Sequence, residues 1–385
     1  MELSVIIVTY NVQPYLEQCL HALQKALTGH DAEVWVVDNA SADGTPDWVA
    51  ANFPDIHCTR GTENIGYAKA NNLPLDRVSG KYVLFLNPDT LLQEDCLDKC
   101  LAFMEAREDA GALGIRMLNG FGTFLRESKR GLPTAAASLF KMTGLADRFP
   151  KHRLLSAYYA GHLDDRTIAP VPVLPGAFLL VREKILRETG GFDERFFMFG
   201  EDIDLSYRIT KAGWNNYYFP ATTMIHFKGQ STDKAGKAYQ QHFYGAMILF
   251  IRKYYRGPLA FLYRQLLQTG VFLKKSLRGK PKHRPPETAQ KQFVIVGSRR
   301  DTRAFLEQYD PGESDYVLFY PAETPIKTLY GTSALLFCLG DLTYREVIDW
   351  MDHPGAETPC FFHDSQSQGI VGPDKSWPVP FRRRP

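Results

Sequence analysis

Apolar positions in the first ninety residues follow two rhythms. LSVIIVT (3–9), EVWVVDN (33–39) and YVLFLN (82–87) are nearly continuous apolar runs that end in polar residues, whereas residues 13–27 place Leu16, Leu20, Leu23 and Leu27 at helical spacing. The pattern predicts a β-α-β unit, then a helix near 45–52, a short strand at 56–59 and a helix near 66–77. Strands apolar on both faces, alternating with helices, predict a mostly parallel sheet covered on both sides, with ligands at the carboxyl ends of the strands. The polar residues that follow those strands are therefore the first candidates: Thr9, Tyr10 and Asn11, then Asp38 to Ser41, then Asn87 to Thr90.

The rhythm changes further along. Residues 236–285 read as helical, rich in Tyr, Phe, Leu, Lys and Arg, and end in GKPKHRPPE, a Pro-rich basic linker. A second α/β alternation follows, with strands at FVIVGS (293–298), YVLFYP (316–321), ALLFCLG (334–340) and CFFHD (360–364) and helices through RAFLEQY and YREVIDWMDH. The expected organisation is an α/β domain over 1–235, an amphipathic helical segment and linker over 236–288, and a small Rossmann-like α/β domain over 289–385. FVIVGS carries one Gly, so the dinucleotide fingerprint is missing there; docking, dimerisation and partner recruitment all stay open as its role.

Composition narrows the partners. Lys+Arg 45 against Asp+Glu 43 is near balance, so overall charge points to no nucleic acid or other polyanion. The six cysteines form no CxxC pair and no metal-finger spacing, which reads as reduced cytosolic thiols. MELSVIIVTYN has no basic leader, so the mature chain is expected to start there and to be cytoplasmic. The best candidate for crossing a bilayer, GPLAFLYRQLLQTGVFL (257–273), is interrupted by Arg264, Gln265 and Gln268. Basic and aromatic residues over 243–284 suit either an interfacial helix pair at the inner face of the cytoplasmic membrane or helices packed on the first domain.

SVIIVTYN, VVDNASADGT, ENIGYAKANN, YVLFLNPDT, LPGAFLLVREKILRETGGFDERFFMFGEDIDLSYRITKAGW and YFPATTMIHFKGQST, in that order over residues 1 to about 232, resemble the family 2 glycosyltransferases of the GT-A fold, most of all the rhamnosyltransferase-like branch. The resemblance implies inverting transfer of one sugar from a nucleotide diphosphate to an acceptor hydroxyl in cell-surface polysaccharide or lipid-linked oligosaccharide synthesis, with dTDP-rhamnose or a UDP-sugar as donor. It does not extend over the last third.

Residue chemistry gives these positions work to do. Asp38, with Thr9 beside it, can accept the N3–H of a pyrimidine; Tyr10, Asn11, Asn39, Ser41, Asn64, Gly66, Lys69 and Asn71 stand where relatives line the nucleotide, although turn and helix-cap chemistry also accounts for several of them. Asn87-Pro88-Asp89 takes the place of an Asp-x-Asp motif, with a neutral oxygen donor in first position; Asp89 and His226 would hold Mn²⁺ or Mg²⁺ against the diphosphate. Gly176 and Ala177 would lie below the donor sugar, and Asp193 and Glu194 would face acceptor hydroxyls or cap a turn. Glu201 and Asp202 open a helix, where acids suit the dipole, yet they follow the aromatic RFFMFG; the resemblance implies that the base comes from this pair, Asp202 acting and Glu201 orienting it. Asp204 is set apart as an i,i+4 partner of Arg208. Hydrolysis by paired carboxylates leaves Asp38 and Asp89 idle, and a processive synthase would need a Gln-x-x-Arg-Trp element and membrane spans that are lacking. A non-catalytic binder or assembly protein with a decayed site is the alternative that Asn87 suggests; homo-oligomerisation is open.

Overall fold

The computed structural model describes residues 1–230, 237–255, 292–310, 315–323, 329, 334–354, 356–367, 369–373 and 381–384. In chain order the first part runs β1 (Leu3–Thr9), α1 (Gln13–Ala26), β2 (Ala32–Asp38), α2 (Thr45–Asn52), β3 (His57–Arg60), α3 (Tyr67–Asn72), β4 (Tyr82–Leu86), β5 (Thr90–Leu92), α4 (Cys96–Ala106) and β6 (Ala110–Leu118). There follow α5 (Ala135–Met142), α6 (Leu145–Arg148), β7 (Ala169–Pro170), β8 (Phe178–Arg182), α7 (Glu183–Thr189), α8 (Glu201–Lys211), β9 (Asn215–His226) and α9 (Lys237–Tyr254).

β1 is buried at every position, which its unbroken Val and Ile run requires of a strand covered on both faces. It pairs in parallel with β2 and β4, and β2 with β3. The sheet order is β3-β2-β1-β4-β8-β6-β9-β5, with β7 on β9. This is the doubly wound α/β sheet expected of a GT-A domain.

Its far half departs from the parallel expectation, because β8 runs antiparallel to β4 and β6, and β5 antiparallel to β9. Those two reversals decide where the site lies. The start of β8 is set beside the carboxyl end of β4, and the end of β9 beside the start of β5. The helix expected over 66–77 stops at Asn72: Pro74 has no amide to continue the hydrogen-bond ladder, although Leu73 before it keeps helical backbone.

A second sheet contains β10 (Gln292–Val296), β12 (Asp315–Phe319), β13 (Leu335–Leu339) and β14 (Cys360–Asp364), all parallel in the order β12-β10-β13-β14, with α10 (Arg299–Gln308) and α11 (Tyr344–Met351) attached; β11 (Tyr309–Asp310) pairs separately with β15 (Arg382–Arg383). This C-terminal unit packs on the first sheet through one apolar cluster, in which Leu91, Leu118, Ile225 and Phe227 meet Phe337, Trp350, Phe362 and Val371. Polar ties frame the contact: Lys25 Nζ lies 2.7 Å from the fully buried carboxylate of Asp364, and Arg116 pairs with Asp352 at 2.8 Å.

α9 buries Ala246, Phe250 and Ile251 against the first domain, beside Val173, Phe196 and Ile203. Its Lys253 bridges Asp193 and Asp204 at 2.7 and 2.6 Å. Arg256, Lys274, Lys275 and Arg278, which carried much of the expected interfacial character, lie outside the described residues.

Candidate functional site

Thr9 and Asp38 face each other in register at the carboxyl ends of β1 and β2. Both are buried, and Thr9 Oγ1 and Asp38 Oδ1 have no hydrogen-bond partner, while the other Asp38 oxygen accepts from the Ser41 amide at 3.0 Å. Buried polar atoms normally find partners, so these two orphans at adjacent strand ends are candidates for meeting a ligand. Asn11 and Ala40, in the turns just beyond, take left-handed backbone at φ 52° and 67°. Asn11 is held there by the Ser41 hydroxyl and the Ala42 amide, at 2.9 and 2.7 Å.

From Asp38 the polar path continues. Asn39 donates to Asn64 at 2.8 Å and accepts from the Ile65 amide at 2.9 Å, which fixes the loop that enters α3. Gly66 has φ 87°, and a Cβ there would lie 2.5 Å from the Phe197 carbonyl oxygen, so only glycine fits. The next amide, of Tyr67, donates to that same carbonyl at 2.7 Å. The Tyr67 hydroxyl bridges Asn87 Oδ1 at 3.1 Å and the Gly176 carbonyl at 2.9 Å, and burial pushes its pKa well up, so it stays a phenol. Lys69 is exposed on α3 and Tyr10 is half-buried; Asn71 turns its amide back onto the Tyr67 carbonyl at 2.9 Å, a use internal to the helix.

The antiparallel reversals bring in the remaining groups. Because Leu86 pairs with Phe178, the Asn87 amide reaches the Ala177 carbonyl at 3.0 Å. Because Thr90 pairs with His226, the imidazole Nε2 lies 3.3 Å from Asp89 Oδ1 and 3.3 Å from Asn87 Nδ2. Burial works against ionisation of Asp89, but the imidazole and the Gln230 amide outweigh it and hold the carboxyl below its ordinary value. Among the described residues no three His, Cys, Asp or Glu side chains gather into a cluster. Asp89 and His226 form a sparse donor set of one carboxylate and one imidazole, while Asn87 turns its amide nitrogen to the imidazole and its oxygen to Tyr67. That pair of a hard carboxylate and an imidazole suits a divalent ion, which would need further oxygen ligands from outside the chain.

α8 is preceded by Gly200 (φ 82°) and Phe199 (φ 70°), both left-handed, so the chain turns sharply out of the aromatic RFFMFG and the first helical turn, Glu201 and Asp202, is buried. Asp202 is buried; Oδ2 pairs with Arg130 and accepts from the Gly176 amide at 3.2 Å. Glu201 is buried with Oε2 unpartnered, and desolvation together with the neighbouring Asp202 charge raises its pKa to about 8. A cavity of about 80 Å³ opens beside the pair, lined by Arg130, Tyr158, Glu201, Asp202, Met247 and Phe250 among others. Asp204, fully buried, is tied to Arg208 at 2.8 Å, to Lys253 and to the Tyr254 hydroxyl at 2.7 Å.

Asp193 and Glu194 have structural partners. Asp193 accepts from the Arg195 amide at 3.1 Å and pairs with Arg195 and Lys253, and Glu194 accepts from Asn72 at 3.2 Å. Arg130, Tyr67 and Tyr158 are additions that the motifs did not single out: SKRGLPT has no periodicity, and Tyr67 lies inside a stretch read for Asn64, Gly66 and Lys69.

Residues 4–189 match the model of the family described as "Glycosyl transferase family 2". The N-acetylglucosaminyl-diphospho-decaprenol L-rhamnosyltransferase of Mycobacterium tuberculosis is 30% identical over 293 residues, spanning 72% of this chain and 94% of its own. The rhamnosyltransferase WbbL of Escherichia coli is 28% identical over 165 residues, 42% of this chain and 57% of its own. Among solved structures, the mannosyltransferase PcManGT of Pyrobaculum calidifontis in complex with GDP-Man and Mn²⁺ is 20% identical, with a TM-score of 0.44 over 73% of this chain and 76% of its own.

Proposed function

The chain belongs to glycosyltransferase family 2, and from that premise we propose an inverting transfer of one sugar, rhamnose from dTDP-rhamnose first, onto an acceptor hydroxyl of a lipid-linked saccharide. The observation that carries the reading is a run of polar contacts, from Asn39, next to Asp38, to Asn64 and the Gly66 amide, and from Tyr67 to Asn87 and Gly176 and on to Asp202, with the Asp89–His226 pair on its flank. The groups that this reading assigns to the base, the diphosphate and the proton lie at one end of the strands of the first sheet.

In this reading the unpartnered oxygen of Asp38 accepts the N3–H of the pyrimidine and Thr9 flanks it. Asp89 and His226 would hold Mn²⁺ or Mg²⁺, which neutralises charge on the departing diphosphate. Gly176, with no side chain, lets the donor sugar approach the backbone. Asp202 takes the proton of the acceptor hydroxyl as its oxygen bonds to the anomeric carbon and the bond to the diphosphate oxygen breaks on the opposite face. Arg130 and the Gly176 amide hold Asp202 in place, which makes Arg130 a positioning residue. Glu201, protonated at neutral pH, can donate a hydrogen bond toward the acceptor across the cavity.

The test is a panel of dTDP-rhamnose, UDP-galactose, UDP-glucose, UDP-N-acetylglucosamine and GDP-mannose, read as metal-dependent binding by calorimetry, with Asp202→Asn run alongside for turnover. Metal-dependent binding of a thymidine or uridine donor, with turnover lost and binding kept in Asp202→Asn, supports the reading. Binding of GDP-mannose alone overturns the role of Asp38, and absence of turnover in both forms favours a nucleotide-sugar binder.

A further inference from the structure

Between β6 and β7 the chain leaves the sheet for about fifty residues, and this excursion has two unlike sides. The inner side is packed. Ala137, Ser138, Ala146 and Tyr158 are buried, Ala135 and Met142 meet Ile251 of α9, and Pro133 and Tyr158 line the cavity beside Glu201 and Asp202.

The outer side is apolar in an unusual way. Leu139, Leu145, Phe149 and Leu154 are 46%, 37%, 46% and 68% exposed, and they make up four of the ten exposed large hydrophobic residues among those described. Exposed cations separate them: Arg148, Lys151 and Arg153, with His152 between the last two. Among the described residues no carboxylate pairs with these three cations, and the one acid in the stretch, Asp147, is taken by Arg126 at 2.8 Å. Local charge is therefore strongly positive on a molecule whose total is only +2.

We propose that the outer side of α5 and α6 with residues 149–154 is a docking surface for an anionic lipid bilayer. Apolar side chains interleaved with unpaired Lys and Arg match an interface where the former enter the acyl boundary and the latter meet headgroup phosphates. The position supplies a purpose, which rests on the proposed lipid-linked acceptor: the same excursion lines the cavity at Asp202, so a saccharide standing off the bilayer would reach the base past Tyr158. The surface is distinct from 243–284, whose described part buries Ala246, Phe250 and Ile251 against the core.

The full chain is to be sedimented with vesicles of phosphatidylcholine alone and of phosphatidylcholine mixed with phosphatidylglycerol, alongside heparin binding. Two variants accompany it, Leu139→Ser/Phe149→Ser/Leu154→Ser and Arg148→Glu/Lys151→Glu/Arg153→Glu, each checked for unchanged circular dichroism and nucleotide binding. The expected result is binding to the mixed vesicles only, reduced about tenfold or more in each variant. No binding of the intact chain to mixed vesicles overturns the proposal, as does wild-type binding by both variants, which would assign attachment to another surface. Loss in the charge variant alone, matched by equal loss of heparin binding, identifies a soluble polyanion site and overturns it too. None of these readouts depends on sugar transfer, so failure here and failure of the transferase reading are separable.

Discussion

Phe362, on the C-terminal sheet, packs edge-on against Phe227, the residue that follows His226, with ring centroids 5.6 Å apart and planes at 73°. Tyr15 of α1 closes on the same ring from another side at 5.2 Å, and the Phe227 amide donates to the Asp89 carbonyl at 3.0 Å. The C-terminal unit thus bears directly on the strand end that carries the imidazole. Phe362→Ala removes the support and should cost about 3–5 kcal/mol in thermal unfolding. Mn²⁺ titration of nucleoside diphosphate binding should show weakened metal affinity, largely recovered in Phe362→Leu; unchanged affinity in a folded Phe362→Ala would mean that the contact is merely adhesive.

Lys25→Met tests the other tie between the two sheets. It strands the Asp364 carboxylate in the interface with the Tyr344 hydroxyl, at 3.0 Å, as its remaining side-chain partner. A loss of about 3 kcal/mol is expected in chemical denaturation. Burial opposes ionisation of Asp364, but Lys25 holds its pKa below the ordinary value, so its contribution is present above the unfolded pKa and is lost as pH falls through the folded one. The variant should therefore lose most of its deficit relative to wild type in acid.

Glu201 behaves in the opposite sense. With the folded pKa raised from 4.5 to about 8, the native state keeps a proton that the unfolded chain releases, and stability declines as pH rises between those two values. Glu201→Gln should flatten that slope in melts recorded from pH 5 to 9. An unchanged slope would show that Glu201 ionises normally.

Asp202→Asn should lower kcat by about 10²–10⁴ with donor affinity unchanged. Arg130→Met should lower kcat by less, again leaving donor affinity alone, because it frees Asp202 to leave the geometry set by Arg130 and the Gly176 amide. Equal kcat in Arg130→Met and wild type would remove Arg130 from the positioning role.

Tyr67→Phe removes the single hydroxyl proton shared between Asn87 Oδ1 and the Gly176 carbonyl, leaving both oxygens short of a donor. A destabilisation of about 1–3 kcal/mol is expected, with a rise in donor KM. Urea denaturation and initial-rate kinetics check the two parts.

Half of the sheet was legible because a buried parallel strand writes itself as a Val/Ile run and the helix between two such strands as a leucine repeat; β1, α1, β2 and β4 are found as expected. The antiparallel half was not, since the apolar run Phe178–Arg182 says that a strand exists and nothing about its direction. Direction is what places Gly176 beside Asn87 and His226 beside Asp89. Acids in the first turn of α8 were visible, whereas their neighbour Arg130 comes from a loop 72 residues away whose position only the packed structure gives. The pairing of Asp204 with Arg208 was legible from the spacing, but Lys253 and Tyr254, from another helix, could not be inferred to join it.

The Phe197 carbonyl receives the Tyr67 amide while the missing side chain of Gly66 lets the two segments touch. The loop that enters α3 and the loop that launches α8 are consequently riveted to one another, so neither can drift in sequence alone. Among descendants of this chain, any replacement of Gly66 should arrive together with a remodelled RFFMFG, and donor preference should change in step with acceptor preference.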